Sequence, residues 1–209
     1  MHKFLLFLAL SASAAFAQYN MEPGGAPPSG AAPAVAGVLQ KTGTRVLAPD
    51  GSVYCELWFR NAIPSGPATG EKPVAFPTIP RGALLGVISF PKNGADRRGQ
   101  PLKPGVYTLR YQLYPVYGDH QGVAPQRDFL LLVPAAADAD PNALLSPEAT
   151  IDLSRKASGT PHPAVLSIEA PAGDAKIPGV AKEGENDWVL NTKIGSLSVG
   201  IILVGAYGG

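Results

Sequence analysis

Residues 106–114 read VYTLRYQLY and carry the strongest strand signal in the chain. Apolar and aromatic residues alternate here with polar ones over a full strand length, which is typical of a β-strand with one apolar face. The apolar set comprises Tyr107, Leu109, Tyr111 and Leu113, and the polar set comprises Thr108, Arg110 and Gln112. We therefore expect the apolar set, including its two tyrosines, to pack in a core.

Strand signals recur on both sides of this stretch. Asp50-Gly51 separates two β-prone runs and predicts a tight hairpin, and Gly195-Ser196 has hairpin spacing farther along. The eight predicted strands are 44–47, 52–60, 83–90, 106–114, 129–133, 164–169, 187–194 and 197–204. Short strands at this spacing predict an all-β, two-sheet, Greek-key-like sandwich over residues 38–209.

One short helix is predicted inside this domain, over residues 147–157. Ser146 suits the N-cap, Pro147 suits the first helical position, and Glu148 lies in the positive first turn. Gly159 follows where a helix commonly stops.

The charge balance of the chain excludes one class of partner. Its 209 residues include 17 Lys and Arg against 16 Asp and Glu, so the formal net charge is +1. Without a basic excess, nucleic acid is not an expected partner.

Cys55 is the single cysteine, which excludes an internal disulfide. Its parity with Leu57 and Phe59 along strand 52–60 predicts a buried free thiol.

The N-terminus predicts export. Residues 1–17 combine a positive start at Lys3, a short apolar run and an Ala15-Phe16-Ala17 cleavage site, which are the parts of a secretory signal peptide. The apolar run is shorter than the roughly 20 residues that span a bilayer. We expect a periplasmic or extracellular protein with no transmembrane anchor after cleavage.

Residues 18–37 are a Pro/Gly/Ala tract and predict a flexible leader, either a spacer or a docking peptide.

Two loops contain candidate metal ligands. His120 stands beside Asp119 in one loop, His162 lies in another, and Asp128 begins a strand. If the two histidines converge at one rim, imidazole and carboxylate groups suit zinc or copper; otherwise no cofactor is expected. The alternative is loop architecture, in which Asp119 forms an Asx-turn, His120 hydrogen-bonds a neighbouring loop, and Arg127-Asp128 forms a structural ion pair or a backbone anchor.

An aromatic face is the other candidate site. Trp58 lies on the opposite parity from Cys55, on the face of Tyr54. An exposed aromatic patch here would bind a protein or a glycan. The alternative is that the loop over residues 63–81 covers it.

The stretch from Pro104 to Val133 resembles the C-terminal strand–loop–strand of cupredoxins. Pro104-Gly105-Val106-Tyr107 matches the Pro-Gly-x-Tyr strand of that family, and His120 follows in the next loop. Tyr111 stands where the copper-binding cysteine would be, so the resemblance implies a Greek-key sandwich and no blue-copper site.

A second resemblance involves Gly118-Asp119-His120-Gln121-Gly122 and Arg127-Asp128-Phe129. Both segments are similar to those of a family of exported β-sandwich proteins from environmental bacteria. The resemblance implies a fold and carries no particular activity.

The sequence contains no Gly-x-Ser-x-Gly nucleophile elbow and no His-x-His spacing. We therefore expect an exported, non-catalytic binding or structural module of the periplasm or cell surface, with a protein or a glycan as its ligand. The alternative is a metal-binding module or metalloenzyme that uses the His/Asp cluster of the rim loops.

Overall fold

The computed structural model describes residues 18–115 and 127–206 of the chain, so the predicted signal peptide over residues 1–17 lies outside the described residues. In chain order the elements are β1 (Asn20–Pro23), α1 (Pro33–Ala36), β2 (Thr44–Leu47), β3 (Val53–Phe59), β4 (Leu84–Phe90), β5 (Gly94–Ala95), β6 (Pro101–Leu102), β7 (Gly105–Leu113), β8 (Asp128–Pro134), a 3-10 turn (Ala135–Ala137), α2 (Pro147–Ser158), β9 (Val165–Glu169), β10 (Gly179–Glu183), β11 (Asp187–Ile194) and β12 (Leu197–Val204). Every one of the eight predicted strands is present, within one or two residues of its predicted ends.

Ten of the strands form one antiparallel sheet, in the order β1-β2-β3-β4-β7-β8-β9-β12-β11-β10, and β5 and β6 form a small separate ribbon. The sheet curls until its edges approach each other. Tyr19, next to β1, packs against Trp188 of β11 with ring centroids 5.2 Å apart. The all-β prediction is confirmed. The structure corrects the predicted two-sheet sandwich of eight strands, because the strands pair continuously around one barrel-like sheet that β1 and β10 extend at its edges.

The inner face of this sheet holds the main core. The apolar set of β7 lies there as predicted, with buried residues from β3, β4, β8, β9, β11 and β12. The polar set of β7 faces outward but is also buried, because the chain from the 3-10 turn to α2 covers it.

Helix α2 matches its prediction closely. The Ser146 hydroxyl accepts a hydrogen bond from the Ala149 N–H at 3.2 Å, and Gly159 ends the helix with a left-handed φ of +67°. Ile151 packs against a small outer core on β8 and β9. Neither helix within residues 18–115 and 127–206 has the length and apolarity needed to cross a membrane.

The leader over residues 18–37 is structured, which differs from the predicted flexible tract. Its first part pairs with β2 as β1, and the Gly24 N–H continues this pairing by donating to the Gly43 carbonyl at 2.8 Å. Its second part forms α1, whose Val35 is fully buried. A tract too poor in apolar residues to fold alone is ordered here because the rest of the domain supplies both a strand partner and an apolar surface.

Cys55 is expected to be unreactive in the native protein. The side chain is fully buried in the main core, and burial, reinforced by nearby Glu56, raises the pKa of the thiol. A thiol-specific disulfide reagent at pH 8 should modify less than about 0.1 thiol per chain before unfolding and one thiol in denaturant. Rapid stoichiometric modification of the folded protein would contradict this burial.

Candidate functional site

A pocket of about 420 Å³ opens between the ends of β7 and β8, the start of α2 and the chain around residues 71–81. We call it the α2 pocket. Its volume lies within the range of small-ligand pockets, roughly 300–1,000 Å³. Its lining residues are Glu71, Arg81, Gln112, Leu113, Pro115, Arg127, Phe129, Leu131, Pro147, Glu148 and Ile151.

One wall of the α2 pocket is apolar. Phe129 and Leu131 project from the outer face of β8, and Ile151 faces them from α2. The Phe129 ring is stacked on Tyr114, with centroids 4.1 Å apart and planes 18° apart. This wall is therefore a surface of aliphatic groups and ring edges, with one face of its aromatic ring already covered.

The α2 pocket also has charged lining residues. Glu71 accepts from Arg127 Nη2 at 2.6 Å and lies 3.4 Å from the Arg81 guanidinium. Arg127 also donates from Nε to the Tyr114 carbonyl at 2.7 Å, so it is held in place. Arg81 is 39 % exposed and its contact with Glu71 is long, which leaves its donors accessible to a ligand.

Gln112 gives the pocket a buried acceptor. The residue is only 2 % exposed, and its Nε2 donates to the Thr150 hydroxyl at 3.2 Å. Its Oε1 has no hydrogen-bond partner in the part of the chain that the structure describes. Buried amide oxygens in native proteins are nearly always bonded, so this oxygen is suited to a donor brought by a ligand.

The predicted metal ligands do not form a site in the described residues. Asp128 is fully buried and accepts from the N–H groups of Ala75 and Phe76, at 2.8 and 3.0 Å, and from the Tyr111 hydroxyl at 2.6 Å. His162 is exposed shortly after the end of α2, where its carbonyl accepts from the Ser158 hydroxyl. Within residues 18–115 and 127–206, no group of three or more His, Cys, Asp or Glu side chains is arranged to hold a metal ion.

Asp119 and His120 lie outside the described residues, so a metal role for this pair stays a prediction. The network around Asp128 anchors the chain at residues 75–76 to β8. This is the backbone anchor of the loop-architecture alternative, with the Tyr111 hydroxyl as a further donor, and no ion pair with Arg127 is needed for it.

The predicted aromatic face is covered. Trp58 is 3 % exposed, and its Nε1 donates to the Gly25 carbonyl at 2.9 Å. Tyr54 is half-buried among aromatic rings and donates to the Leu203 carbonyl at 3.2 Å. The cover over Trp58 comes from the leader and α1, not from the loop over residues 63–81.

Sequence reasoning missed the α2 pocket because its parts come from four distant segments. One signal was available: Gln112 belongs to the polar set of β7. Comparison with family models, curated proteins and solved structures finds no match.

Proposed function

We propose that this chain is an exported, non-catalytic binding module whose ligand is a segment of a partner protein that inserts an apolar side chain into the α2 pocket. The observation that carries the proposal is the combination of an apolar wall with the unpartnered Gln112 Oε1. A peptide supplies both complements, an apolar anchor and a backbone N–H donor. Cleavage after Ala17 would leave every described element of the fold intact.

A protein ligand fits the pocket better than a glycan does. Sugars are commonly held by the open face of an aromatic ring, and the Phe129 ring has one face stacked on Tyr114. Catalysis also has little support among the lining residues. Their two carboxylates are Glu71, held between two arginines, and Glu148, in the first turn of α2.

Binding should be measurable with short peptides on the mature protein. A bound segment of about 20 heavy atoms at roughly 0.3 kcal/mol each gives about 6 kcal/mol, a dissociation constant of tens of micromolar. The probes are fluorescein-labelled Gly/Ser peptides with one central Leu, Ile or Phe, read by fluorescence polarisation. Ile151→Arg places a charge on the apolar wall and is expected to weaken binding at least about tenfold.

Two control variants make this test specific. Ile151→Val keeps the apolar wall and should bind nearly as wild type, and Ala149→Arg adds the same charge at an exposed α2 position outside the lining. The proposal fails if no peptide binds, if Ile151→Arg binds as well as Ala149→Arg, or if chito-oligosaccharides bind at this pocket in place of the peptides.

A further inference from the structure

Arg81 is a lining residue of the α2 pocket with spare hydrogen-bonding capacity. Its side chain is 39 % exposed, and Nη2 makes two long contacts with the Glu71 carboxylate, at 3.4 and 3.5 Å. Within residues 18–115 and 127–206, its Nε and Nη1 donate to no other group. Since a guanidinium has five N–H donors in one plane, most of those of Arg81 remain for water or a ligand.

Glu71 does not satisfy Arg81, because Arg127 binds the same carboxylate more closely. Arg127 Nη2 lies 2.6 Å from Glu71, and only 10 % of the Arg127 side chain is exposed. The other two nitrogens of Arg127 donate to the carbonyls of Tyr114 and Lys72, at 2.7 and 3.4 Å. Arg127 is therefore committed to the protein through all three nitrogens, and Arg81 is the weakly paired cation of the two.

The backbone next to Arg81 is fixed against the rest of the domain. The Gly82 N–H donates to the Tyr111 carbonyl of β7 at 2.8 Å. Gly82 has a φ of +79°, and a Cβ there would overlap the backbone of Leu145, just before α2. The chain at Arg81 is thus packed between β7 and the segment that leads into α2. A side chain on a fixed backbone loses less conformational entropy on binding than one on a mobile loop.

The remaining charge in the lining is Glu148, and it does not reverse this balance. Glu148 is exposed and lies in the first turn of α2, where the N-terminal end of the helix sets roughly half a positive charge against it. Glu71 is already bound by Arg127. The ligand group that complements Arg81 is therefore an acceptor that carries negative charge.

We propose that the partner segment carries a carboxylate that Arg81 binds while the apolar anchor lies on the apolar wall of the α2 pocket. This inference rests on the proposed function and adds the charge that the ligand requires. A planar guanidinium pairs with a carboxylate through two parallel hydrogen bonds, which fix the orientation of the segment. The carboxylate belongs either to an Asp or Glu side chain near the anchor or to the C-terminus of the partner chain.

The test compares matched peptides on the mature protein by fluorescence polarisation. Amidated Gly/Ser peptides with a central Leu carry Glu, Gln or Lys at one position, varied from three residues before the Leu to three after it. A further peptide ends in Leu with a free carboxylate. The best Glu peptide or the free-carboxylate peptide should bind at least about fivefold more tightly than its Gln or amidated counterpart at low ionic strength. Added NaCl should reduce the difference, because Arg81 is exposed.

Three variants assign this preference to Arg81. Arg81→Gln should bind the Glu and Gln peptides equally. Arg81→Lys keeps the charge but not the paired donors, so it should retain only part of the preference. Arg98→Gln removes an exposed charge outside the lining and should leave the preference unchanged. The affinity of all three for the Gln peptide should stay within about twofold of wild type, because the apolar wall is intact.

The outcomes distinguish this inference from the proposed function. A preference for Glu indicates an internal segment, a preference for the free carboxylate indicates a C-terminal one, and either supports the proposal. If the peptides bind but show no preference for a carboxylate, or if the preference survives Arg81→Gln, the carboxylate proposal is wrong and the apolar anchor stands. Tighter binding of the Lys peptide would overturn it as well. If no peptide binds, the proposed function and this inference both fail.

Discussion

Arg110→Ala is expected to lower the free energy of unfolding by about 3–5 kcal/mol, because it breaks a buried ion pair from one side. The Arg110 guanidinium is fully buried and donates to Asp138 from Nε at 2.8 Å and from Nη2 at 2.5 Å. It also donates to the carbonyls of Gly82, Asp140 and Ala143, at 2.9, 2.7 and 2.5 Å. The substitution leaves a buried carboxylate and three carbonyls without these donors. Urea unfolding at pH 7 measures the loss.

A surface pair provides the matched control for Arg110. Arg45 lies 2.9 Å from Glu22 and 3.6 Å from Glu56, and its side chain is 33 % exposed, so Arg45→Ala should cost about 1 kcal/mol or less. The double variant Arg110→Met with Asp138→Leu removes both charges and should recover part of the loss, because the three carbonyls stay without these donors. An Arg110→Ala protein as stable as Arg45→Ala would show that the pair is not buried in solution.

The Arg110 network also shows which part of the structure the sequence pattern cannot predict. Alternation along residues 106–114 identifies the strand and its inner face, because the period of two is a local property of the chain. It cannot tell whether the polar face meets water or other protein. That face is buried by the chain that follows β8, and only the tertiary fold brings Asp138 to Arg110.

The other elements also fall into two groups, those that the sequence predicts and those that it does not. The sequence predicts the two hairpins, at Asp50-Gly51 and Gly195-Ser196, and the capped helix α2. Turns and helix caps depend on residues within a few positions of each other, so they can be identified from the sequence. The sequence does not predict β1 (Asn20–Pro23) or β10 (Gly179–Glu183), because both have little strand propensity. They become strands because they pair with the neighbouring strands β2 and β11. These two strands lie at the edges of the sheet where it closes. The two-sheet prediction was wrong because it lacked them.

The candidate sites were the least predictable part. Side-chain chemistry identified Asp128 and Trp58 as notable, but it did not show that their polar atoms are already bonded within the protein. The α2 pocket is assembled from segments far apart in sequence. Its distinctive polar feature is a buried atom, Gln112 Oε1, that has no hydrogen-bond partner among the described residues, and that is visible only in three dimensions.

Trp58→Ala is expected to lower the free energy of unfolding by about 3–5 kcal/mol and to release the leader from the sheet. The indole is the centre of a small outer core with Val35, Leu39 and Val87, and its Nε1 bond holds Gly25. Removing it leaves a cavity under α1 and takes away the anchor of a tract that cannot fold alone. Urea unfolding measures the first effect. Limited digestion with elastase, which cuts after small residues, should detect the second as new cleavage within residues 31–36.

Two further substitutions separate packing from the hydrogen bond. Trp58→Phe keeps most of the apolar contact and loses the bond to the Gly25 carbonyl, so it should cost about 1–2 kcal/mol and leave the leader protected. Trp188→Ala, at a half-exposed indole that contacts Tyr19, should cost less than Trp58→Ala and add no cleavage within α1. If elastase cuts the wild-type leader as readily as that of Trp58→Ala, then residues 31–36 are not packed in solution. The flexible leader that composition alone predicts would then be the correct description.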